Sequence, residues 1–181
     1  MRKRPILMTG AAGFVGSLMM PRLRAAFPDE EVVSLVRRRR LSPDDISLDL
    51  VDKGAALSAL SRFRPRLIVH LAAHASVGTS GRNPAAVWRD NRDASFALAK
   101  AVAATVPDAT VLISGTTEIY GEAFLGGPVD EATPPRPRGP YATSKLASEL
   151  VFRALLPATA RLIVCRPVNH TGPGQVEDFV I

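Results

Sequence analysis

Short apolar runs alternate with longer amphipathic stretches along this chain. The short runs, which are bounded by turn residues, predict five strands, at residues 5–9, 31–36, 67–71, 110–114 and 161–165. The stretches between them repeat their apolar positions with helical spacing and predict four helices, at residues 14–27, 52–63, 84–105 and 141–156. Nearly continuous apolar strands that alternate with helices are typical of a parallel sheet covered on both faces. Because crossovers between parallel strands are right-handed, we predict a doubly wound α/β sheet.

The length and composition suit one globular domain. The chain has 181 residues, of which 46% are hydrophobic, and we expect residues 1–181 to form one domain with a core of its own. The 23 basic residues exceed the 17 acidic ones, but the excess is concentrated in residues 2–4 and 37–40. Since the chain has no long basic face and few aromatic side chains to stack on bases, nucleic-acid binding is not expected.

The cysteine content and the length of the apolar runs indicate the cellular compartment in which the protein is expected to work. Cys165 is the single cysteine, so no disulfide forms within the chain, which fits a reducing compartment, and we expect the cytoplasm. Because Cys165 falls in an apolar strand, it is expected to be buried in the core. No apolar run approaches the roughly 20 residues that a membrane span needs. His70 and His74 fall on a strand and on the loop after it, which does not predict a metal site.

A glycine-rich turn joins the first predicted strand to the first predicted helix. Its sequence is Thr9-Gly10-Ala11-Ala12-Gly13-Phe14-Val15-Gly16. Gly10 permits the tight turn, Gly13 lets the backbone approach a pyrophosphate, and Gly16 lets the helix lie close to the strand. Free N–H groups at the start of the helix would bind the anion. The turn therefore predicts a dinucleotide site, and a plain turn with incidental glycines is the alternative.

Tyr141 and Lys145 form a second candidate motif. They stand four residues apart on a predicted helix that follows a proline-rich loop, so both side chains lie on one face. A phenol with a pKa of about 10 is a poor acid–base catalyst at neutral pH, but a nearby ammonium group and the start of a helix both stabilise its phenolate. We therefore expect Lys145 to lower the pKa of Tyr141.

The GxxGxxG spacing and the YxxxK pair resemble the extended short-chain dehydrogenase/reductase superfamily, also called the NAD-dependent epimerase/dehydratase family. The resemblance runs from Ile6 to Val180 and implies a Rossmann-like domain. Members of this family pair through two long helices, here at residues 84–105 and 141–156, which implies a homodimer. They also carry a C-terminal substrate-binding part that this chain lacks. The apolar ending at residues 179–181 is what we expect of a shortened chain.

The resemblance implies the cofactor contacts. Members that use NAD(H) carry an acid at the end of the second strand, where this chain has Arg37 and Arg38. Guanidinium groups suit a 2′-phosphate by charge and by bidentate geometry, so NADP(H) is favoured and NAD(H) remains possible. The alternative interpretation is that these arginines belong to a solvated surface loop and bind no phosphate. Asp49 matches an aspartate that binds the adenine amino group, or it caps the following helix. The other implied cofactor positions are Phe14, Val15, Leu50, Leu71, Ala72, Ala73, Asn91 and Val168.

The resemblance also implies the catalytic positions. Thr116, just after the fourth predicted strand, matches the residue that hydrogen-bonds the reacting oxygen. Glu118 falls where sugar-nucleotide dehydratases carry a catalytic base. Tyr141 matches the proton donor, and Lys145 matches the residue that holds the nicotinamide ribose. The implied substrate contacts are Ser76, Thr116 and Asn169.

The sequence Arg-Pro-Val-Asn-His-Thr-Gly-Pro-Gly-Gln at residues 166–175 narrows the substrate. It resembles GDP-4-keto-6-deoxymannose reductases, and GDP-mannose 4,6-dehydratases share its Asn-His pair. This implies an NADP(H)-dependent oxidoreductase that reduces the 4-keto group of a GDP-4-keto-6-deoxyhexose. Two alternatives stay open: a dehydratase-like lyase or epimerase, and a non-catalytic fragment that binds NADP.

Overall fold

A computed structural model describes residues 3–38, 40, 42–52, 54–74 and 81–175 of the protein. Within these residues, six parallel strands form one sheet in the order β3-β2-β1-β4-β5-β6. The strands are β1 (Ile6–Thr9), β2 (Val32–Val36), β3 (Ile46–Ser47), β4 (Leu67–His70), β5 (Thr110–Ser114) and β6 (Arg161–Cys165). The chain order reverses on either side of β1, which is the arrangement of a doubly wound sheet. The predicted fold class is confirmed.

Five α-helices occur among the described residues: α1 (Phe14–Ala26), α2 (Ala55–Phe63), α3 (Pro84–Trp88), α4 (Ala94–Thr105) and α5 (Gly139–Leu155). The prediction of one uninterrupted α-helix over residues 84–105 is wrong, because a π-helical turn at Arg89–Asp93 separates α3 from α4. A 3₁₀ segment, Thr117–Gly126, follows β5 and was not predicted. The two-residue strand β3 was also missed, since two residues are too few to show a repeat.

The core lies on both faces of the sheet, because successive side chains of each strand point to opposite sides. In β1, Leu7 packs with Leu98 of α4 and Phe152 of α5. The next residue, Met8, packs on the other face with Met20 of α1. The helices α2, α4 and α5 therefore cover one face, and α1 covers the other. This arrangement leaves the carboxyl ends of β1, β2 and β4 open at one edge.

The expectation that Cys165 is buried is wrong. Cys165 is exposed, because β6 is the edge strand of the described sheet and Cys165 ends it. The neighbouring β5 lies inside the sheet, and its residues Val111 and Ile113 are buried. An apolar run therefore identified the strand correctly but could not indicate that it lies at the edge.

Candidate active site

The glycine-rich turn has the conformation that its sequence requires. Gly10 has a φ of 73°, which favours glycine, and a Cβ there would lie 2.6 Å from the backbone nitrogen of Ala72. The Gly13 N–H donates to the Gly10 carbonyl at 3.0 Å. A Cβ on Gly16 would overlap the same carbonyl. In the described structure, no side chain caps the start of α1, so its first N–H groups stay available to an anion.

A cleft with a volume of about 180 Å³ opens beside this turn, at the carboxyl ends of β1, β2 and β4. In doubly wound sheets, ligands bind at this edge, where the strand order reverses. Six of the predicted cofactor residues line the cleft together: Gly10, Arg37, Asp49, Leu50, Ala72 and Ala73. Thr9, Leu35, Leu48, Asp90 and Ala94 complete its lining.

Five other predicted cofactor positions, Phe14, Val15, Arg38, Leu71 and Val168, are absent from the cleft lining. Phe14 and Val15 continue the glycine turn into α1. Leu71 packs against the buried cluster around Met8. Arg38 and Val168 are exposed.

The loop that follows β6 approaches the start of α1. The ring of His170 stacks on the ring of Phe14, with 6.1 Å between centroids and 13° between the planes. A Cβ on Gly172 would lie 3.2 Å from the same phenylalanine ring. The loop that carries Val168 and Asn169 therefore lies beside the glycine-rich turn.

An ion-pair network crosses the mouth of the cleft. The Arg37 Nη1 atom lies 2.5 Å from the Asp90 Oδ1 atom. The Arg89 guanidinium contacts Asp90 at 3.1 Å and Asp49 at 2.8 Å. Burial opposes ionisation of Asp49, but hydrogen bonds from Arg89 and from the Val51 N–H lower its pKa below the usual value. The carboxylate of Asp49 therefore accepts a hydrogen bond in the turn after β3 and also belongs to the ion-pair network.

Tyr141 and Thr116 meet at the end of β5. The Thr116 hydroxyl lies close enough to the Tyr141 phenol to favour its charged form, and Thr116 is buried. Thr116 also caps the 3₁₀ segment, since its Oγ1 accepts from the Glu118 N–H at 3.2 Å. Burial raises the pKa of Tyr141, and the charge of Glu118 raises it further, while the nearby Thr116 hydroxyl opposes both. The expectation that Lys145 lowers this pKa is not met, because Thr116 alone acts in that sense and the Lys145 ammonium is bonded to the Ser114 carbonyl.

Lys145 lies on the same face of α5 as Tyr141, one helical turn further along the chain. It is buried, and its Nζ donates to the carbonyl of Ser114 at the end of β5. Burial lowers the pKa of Lys145 to about 8, and the nearby carboxylate of Glu149 opposes that shift. Lys145 is therefore a base whose charge changes just above neutral pH.

A buried ion pair supports this face of α5 and was missed from the sequence. Glu149 is only 1% exposed, and its carboxylate lies 2.8 Å from the Arg166 guanidinium. Arg166 also donates to the Tyr120 hydroxyl at 2.7 Å. It thereby connects α5, the 3₁₀ segment and the loop after β6. The signal was present, because Glu149 continues the four-residue repeat of Tyr141 and Lys145.

Asn91 lies in the π-helical turn, behind the cleft lining. Its Oδ1 accepts from the His74 N–H at 2.7 Å, and its Nδ2 donates to the Ser144 hydroxyl at 2.9 Å. Asn91 is buried, as its predicted inward position requires. Its contacts connect the loop after β4 to α5, immediately before Lys145. This geometry makes Asn91 a positioning residue for the helix that carries the candidate catalytic pair.

His70, at the end of β4, is hydrogen-bonded to Thr9, the residue that precedes the glycine-rich turn. A hydrogen bond of 2.7 Å joins its Nδ1 to the Thr9 hydroxyl, and the Ala72 N–H donates to the same hydroxyl at 3.2 Å. Burial, with the charge of Lys145, lowers the pKa of His70 to about 3. His70 is therefore neutral at neutral pH. Its contacts connect the neighbouring strands β1 and β4.

Of the predicted substrate positions, Thr116 is buried and Asn169 is exposed. Glu118, which was predicted as a catalytic base, is half-buried at the start of the 3₁₀ segment. Ser76 lies outside the described residues. Over the part of the chain that the structure describes, no three His, Cys, Asp or Glu side chains are grouped to hold a metal ion. None of the described helices has the length and hydropathy to cross a membrane.

Comparisons with known proteins agree with this geometry. A model of the NAD dependent epimerase/dehydratase family matches residues 6–180. The chain is 33% identical over 178 residues to GDP-6-deoxy-D-mannose reductase of Pseudomonas aeruginosa, an alignment that covers 97% of this chain and 55% of the relative. It is 31% identical over 182 residues to UDP-glucose 4-epimerase of Mycolicibacterium smegmatis, with 93% and 57% covered. The chain thus spans about half the length of the curated relatives it matches.

The structural comparison gives the same result. UDP-glucose 4-epimerase of Thermus thermophilus, in complex with NAD, superposes with a TM-score of 0.75 at 29% identity. The superposition covers 90% of this chain and 54% of that one. Together with the family match over nearly every residue, it confirms the resemblance inferred from the motifs. The chain belongs to the NAD dependent epimerase/dehydratase family.

Proposed function

We propose that the whole protein is an NADP(H)-dependent reductase of a nucleotide sugar, acting on the 4-keto group of a GDP-4-keto-6-deoxyhexose. The observation that carries this proposal is the approach of the Tyr141 and Thr116 hydroxyls at the end of β5, with Lys145 one helical turn along the same face. The Pseudomonas aeruginosa relative, whose name is GDP-6-deoxy-D-mannose reductase, supports the substrate class. The sequence at residues 166–175 supports it independently.

The glycine-rich turn beside the cleft suits the diphosphate of a nicotinamide dinucleotide. Side chains larger than glycine would fill the turn at Gly10 and Gly16, so the backbone is kept clear for a diphosphate. The bound cofactor would supply hydride to the keto carbon. Gly13 and the uncapped start of α1 would hold the diphosphate.

The proton step belongs to the Tyr141 and Thr116 hydroxyls. As the keto carbon is reduced, negative charge develops on the former carbonyl oxygen, and the Tyr141 hydroxyl donates its proton to that atom. Thr116 donates a hydrogen bond to the same oxygen and orients it. The raised pKa of Tyr141 keeps the phenol protonated at neutral pH, so the proton is present to be donated, although the same shift makes the phenol a weaker acid. Lys145 holds the ribose hydroxyls beside Tyr141 with its ammonium group.

The cofactor preference follows from the charge at the cleft mouth. Arg37 lines the cleft at the end of β2, where an acid would bind the ribose 2′-hydroxyl of NAD(H). Arg38 follows it and is exposed. Two guanidinium groups at this place favour a 2′-phosphate. NADP(H) is therefore the proposed cofactor, and NAD(H) is the alternative.

Assembly and compartment complete the proposal. The helices α4 and α5 pack side by side, and Phe96 of α4 and Leu150 of α5 stay about half exposed, at 48% and 56%. Large exposed apolar side chains on neighbouring helices suit a subunit contact, so we assign the homodimer contact to α4 and α5. The cytoplasm remains the proposed compartment.

The activity test uses the full-length protein. With NADPH and GDP-4-keto-6-deoxymannose, oxidation of NADPH should follow addition of the sugar nucleotide. Tyr141→Phe should lower kcat by about 10²- to 10⁴-fold, because it removes the proton donor, with little change in NADPH affinity. Thr143→Val is the matched control, since it removes a hydroxyl from the same helix that bonds only to the Gly139 carbonyl. Near-normal kcat in Tyr141→Phe, with chemistry rate-limiting, would refute the proton donor.

A dehydratase-like lyase is the second candidate, and one observation favours it. Glu118 lies close enough to Tyr141 for its charge to raise the pKa of that phenol, so a carboxylate and a phenol face the same site. Such a pair could remove a proton and expel water. Loss of water from GDP-mannose without consumption of added NADPH would select this activity. Binding of NADPH by the full-length protein with neither reaction would select the non-catalytic alternative.

A further inference from the structure

Asp90 occupies an unexpected place for an enzyme proposed to use NADP(H). It lines the cleft directly opposite Arg37, and its side chain is only 13% exposed. Asp90 comes from the π-helical turn, 53 residues along the chain from Arg37. Its carboxylate contacts both Arg37 and Arg89. The guanidinium proposed to recognise a 2′-phosphate is thus already neutralised in the free protein.

We propose that Asp90 determines the cofactor specificity of this cleft, by competing with the 2′-phosphate of the ligand for Arg37; this rests on the proposed use of NADP(H). A phosphate monoester carries roughly two negative charges at neutral pH. To bind Arg37, it must displace the Asp90 carboxylate or accept its repulsion at close range. A dinucleotide without the 2′-phosphate meets neither cost. Asp90 therefore limits how strongly Arg37 favours NADP(H).

The surrounding contacts indicate that Asp90 affects the charge beside Arg37 and is not needed to hold the backbone there. Arg89 also contacts Asp49 at 2.8 Å, and that contact does not involve Asp90. The Arg37 side chain is 42% exposed, so it can turn toward a ligand without leaving water. Asp90 also lies on a different element from Arg37, and its substitution leaves the end of β2 intact.

The test is a titration of Asp90→Asn with NADPH and with NADH. The variant should bind NADPH about threefold to tenfold more tightly than the wild type, as expected for the loss of one competing charge near the surface. Its affinity for NADH should change by less than about twofold on the same reasoning. The gain for NADPH should shrink as salt is added, because partly exposed charges are screened.

Two further variants identify the route of the effect. In an Arg37→Ala background, Asp90→Asn should give a clearly smaller gain for NADPH, because only the direct repulsion of the phosphate is then relieved. Asp93→Asn is the matched control: it makes the same charge change in the same π-helical turn, but Asp93 pairs with Arg92 and is absent from the cleft lining. Its ratio of NADPH to NADH affinity should equal that of the wild type.

Three results would overturn the inference. Weaker NADPH binding by Asp90→Asn would mean that Asp90 holds Arg37 in place for the phosphate. An equal gain in affinity for NADPH and for NADH would mean that Asp90 changes the overall electrostatic potential of the cleft and does not discriminate between the two dinucleotides. A gain of the same size without Arg37 would mean that Asp90 acts by direct repulsion of the phosphate and not by competing for Arg37. If the wild type binds neither dinucleotide, the proposed function itself fails and this inference with it.

Discussion

The candidate chemistry depends on a few buried charged groups whose environments differ. Lys145 and Glu149 are both buried on α5, yet only Glu149 has a strong ion pair, with Arg166. Burial of Lys145 without such a pair lowers its pKa to about 8. The pKa of Tyr141 shifts in the opposite sense, since burial disfavours its charged phenolate form. At neutral pH the site therefore holds a charged amine and a protonated phenol.

The lowered pKa of Lys145 predicts a pH dependence of cofactor binding. Below pH 8 the ammonium form predominates and can donate to ribose hydroxyls; above pH 8 the neutral form takes over. Affinity for NADPH should therefore fall as pH rises, by up to about tenfold between roughly pH 7 and pH 9 if binding needs the proton. Fluorescence titrations over this range would measure it.

Two variants control this pH experiment. Lys145→Gln removes the titrating group, so its affinity should be weaker and should not vary with pH around 8. Lys100→Gln, at an exposed position on α4, should keep the wild-type profile. A profile in Lys145→Gln that still falls as the pH rises through this range would assign the effect to another group.

At the scale of elements, the end of β5 and the helix α5 fit together only because Gly115 has no side chain. A Cβ at this position would lie 2.5 Å from the Glu149 carboxylate and 3.2 Å from the Cys165 carbonyl. The carboxylate cannot easily retreat, because Arg166 holds it. The close approach of these elements keeps Thr116 within reach of Tyr141.

Gly115→Ala should therefore destabilise the protein. We expect the free energy of unfolding to fall by about 1–3 kcal/mol, the range for overpacking a well-filled site. Urea denaturation would measure the loss. Gly81→Ala is the matched control, because a Cβ there meets no atom within 4 Å. Equal stability of Gly115→Ala and the wild type would show that the buried ion pair relaxes freely.

The elements also show what the sequence could predict. The five longer strands and the helices α1, α2 and α5 were predicted, because their apolar positions repeat over several residues. The π-helical turn was missed, since its residues Arg-Asp-Asn-Arg-Asp carry no apolar repeat. Glycine spacing predicted the turn after β1, and the Tyr141–Lys145 spacing predicted a shared face. The ion pair between Arg37 and Asp90 could not be predicted from the sequence, because no local pattern encodes a contact between residues 53 positions apart.

For the whole molecule, the proposed homodimer is the property to test. Exposed apolar side chains on α4 and α5 would be buried when two copies pair through these helices. Phe96→Asp combined with Leu150→Asp should convert the dimer to a monomer at tens of micromolar, as measured by sedimentation velocity. Leu125→Asp, at a position 83% exposed on the 3₁₀ segment, should leave the dimer intact. A wild-type protein that sediments as a monomer at this concentration would contradict the proposal.

The central claim is that the cleft beside the glycine-rich turn binds NADP(H). Calorimetric titration of the protein with NADPH and with NADH tests it most directly. We predict that NADPH binds at least about tenfold more tightly than NADH, equivalent to about 1.4 kcal/mol, and that a variant carrying Arg37→Asp and Arg38→Ala loses this preference. Equal affinities of the wild-type protein for the two dinucleotides, or binding of neither, would contradict the claim.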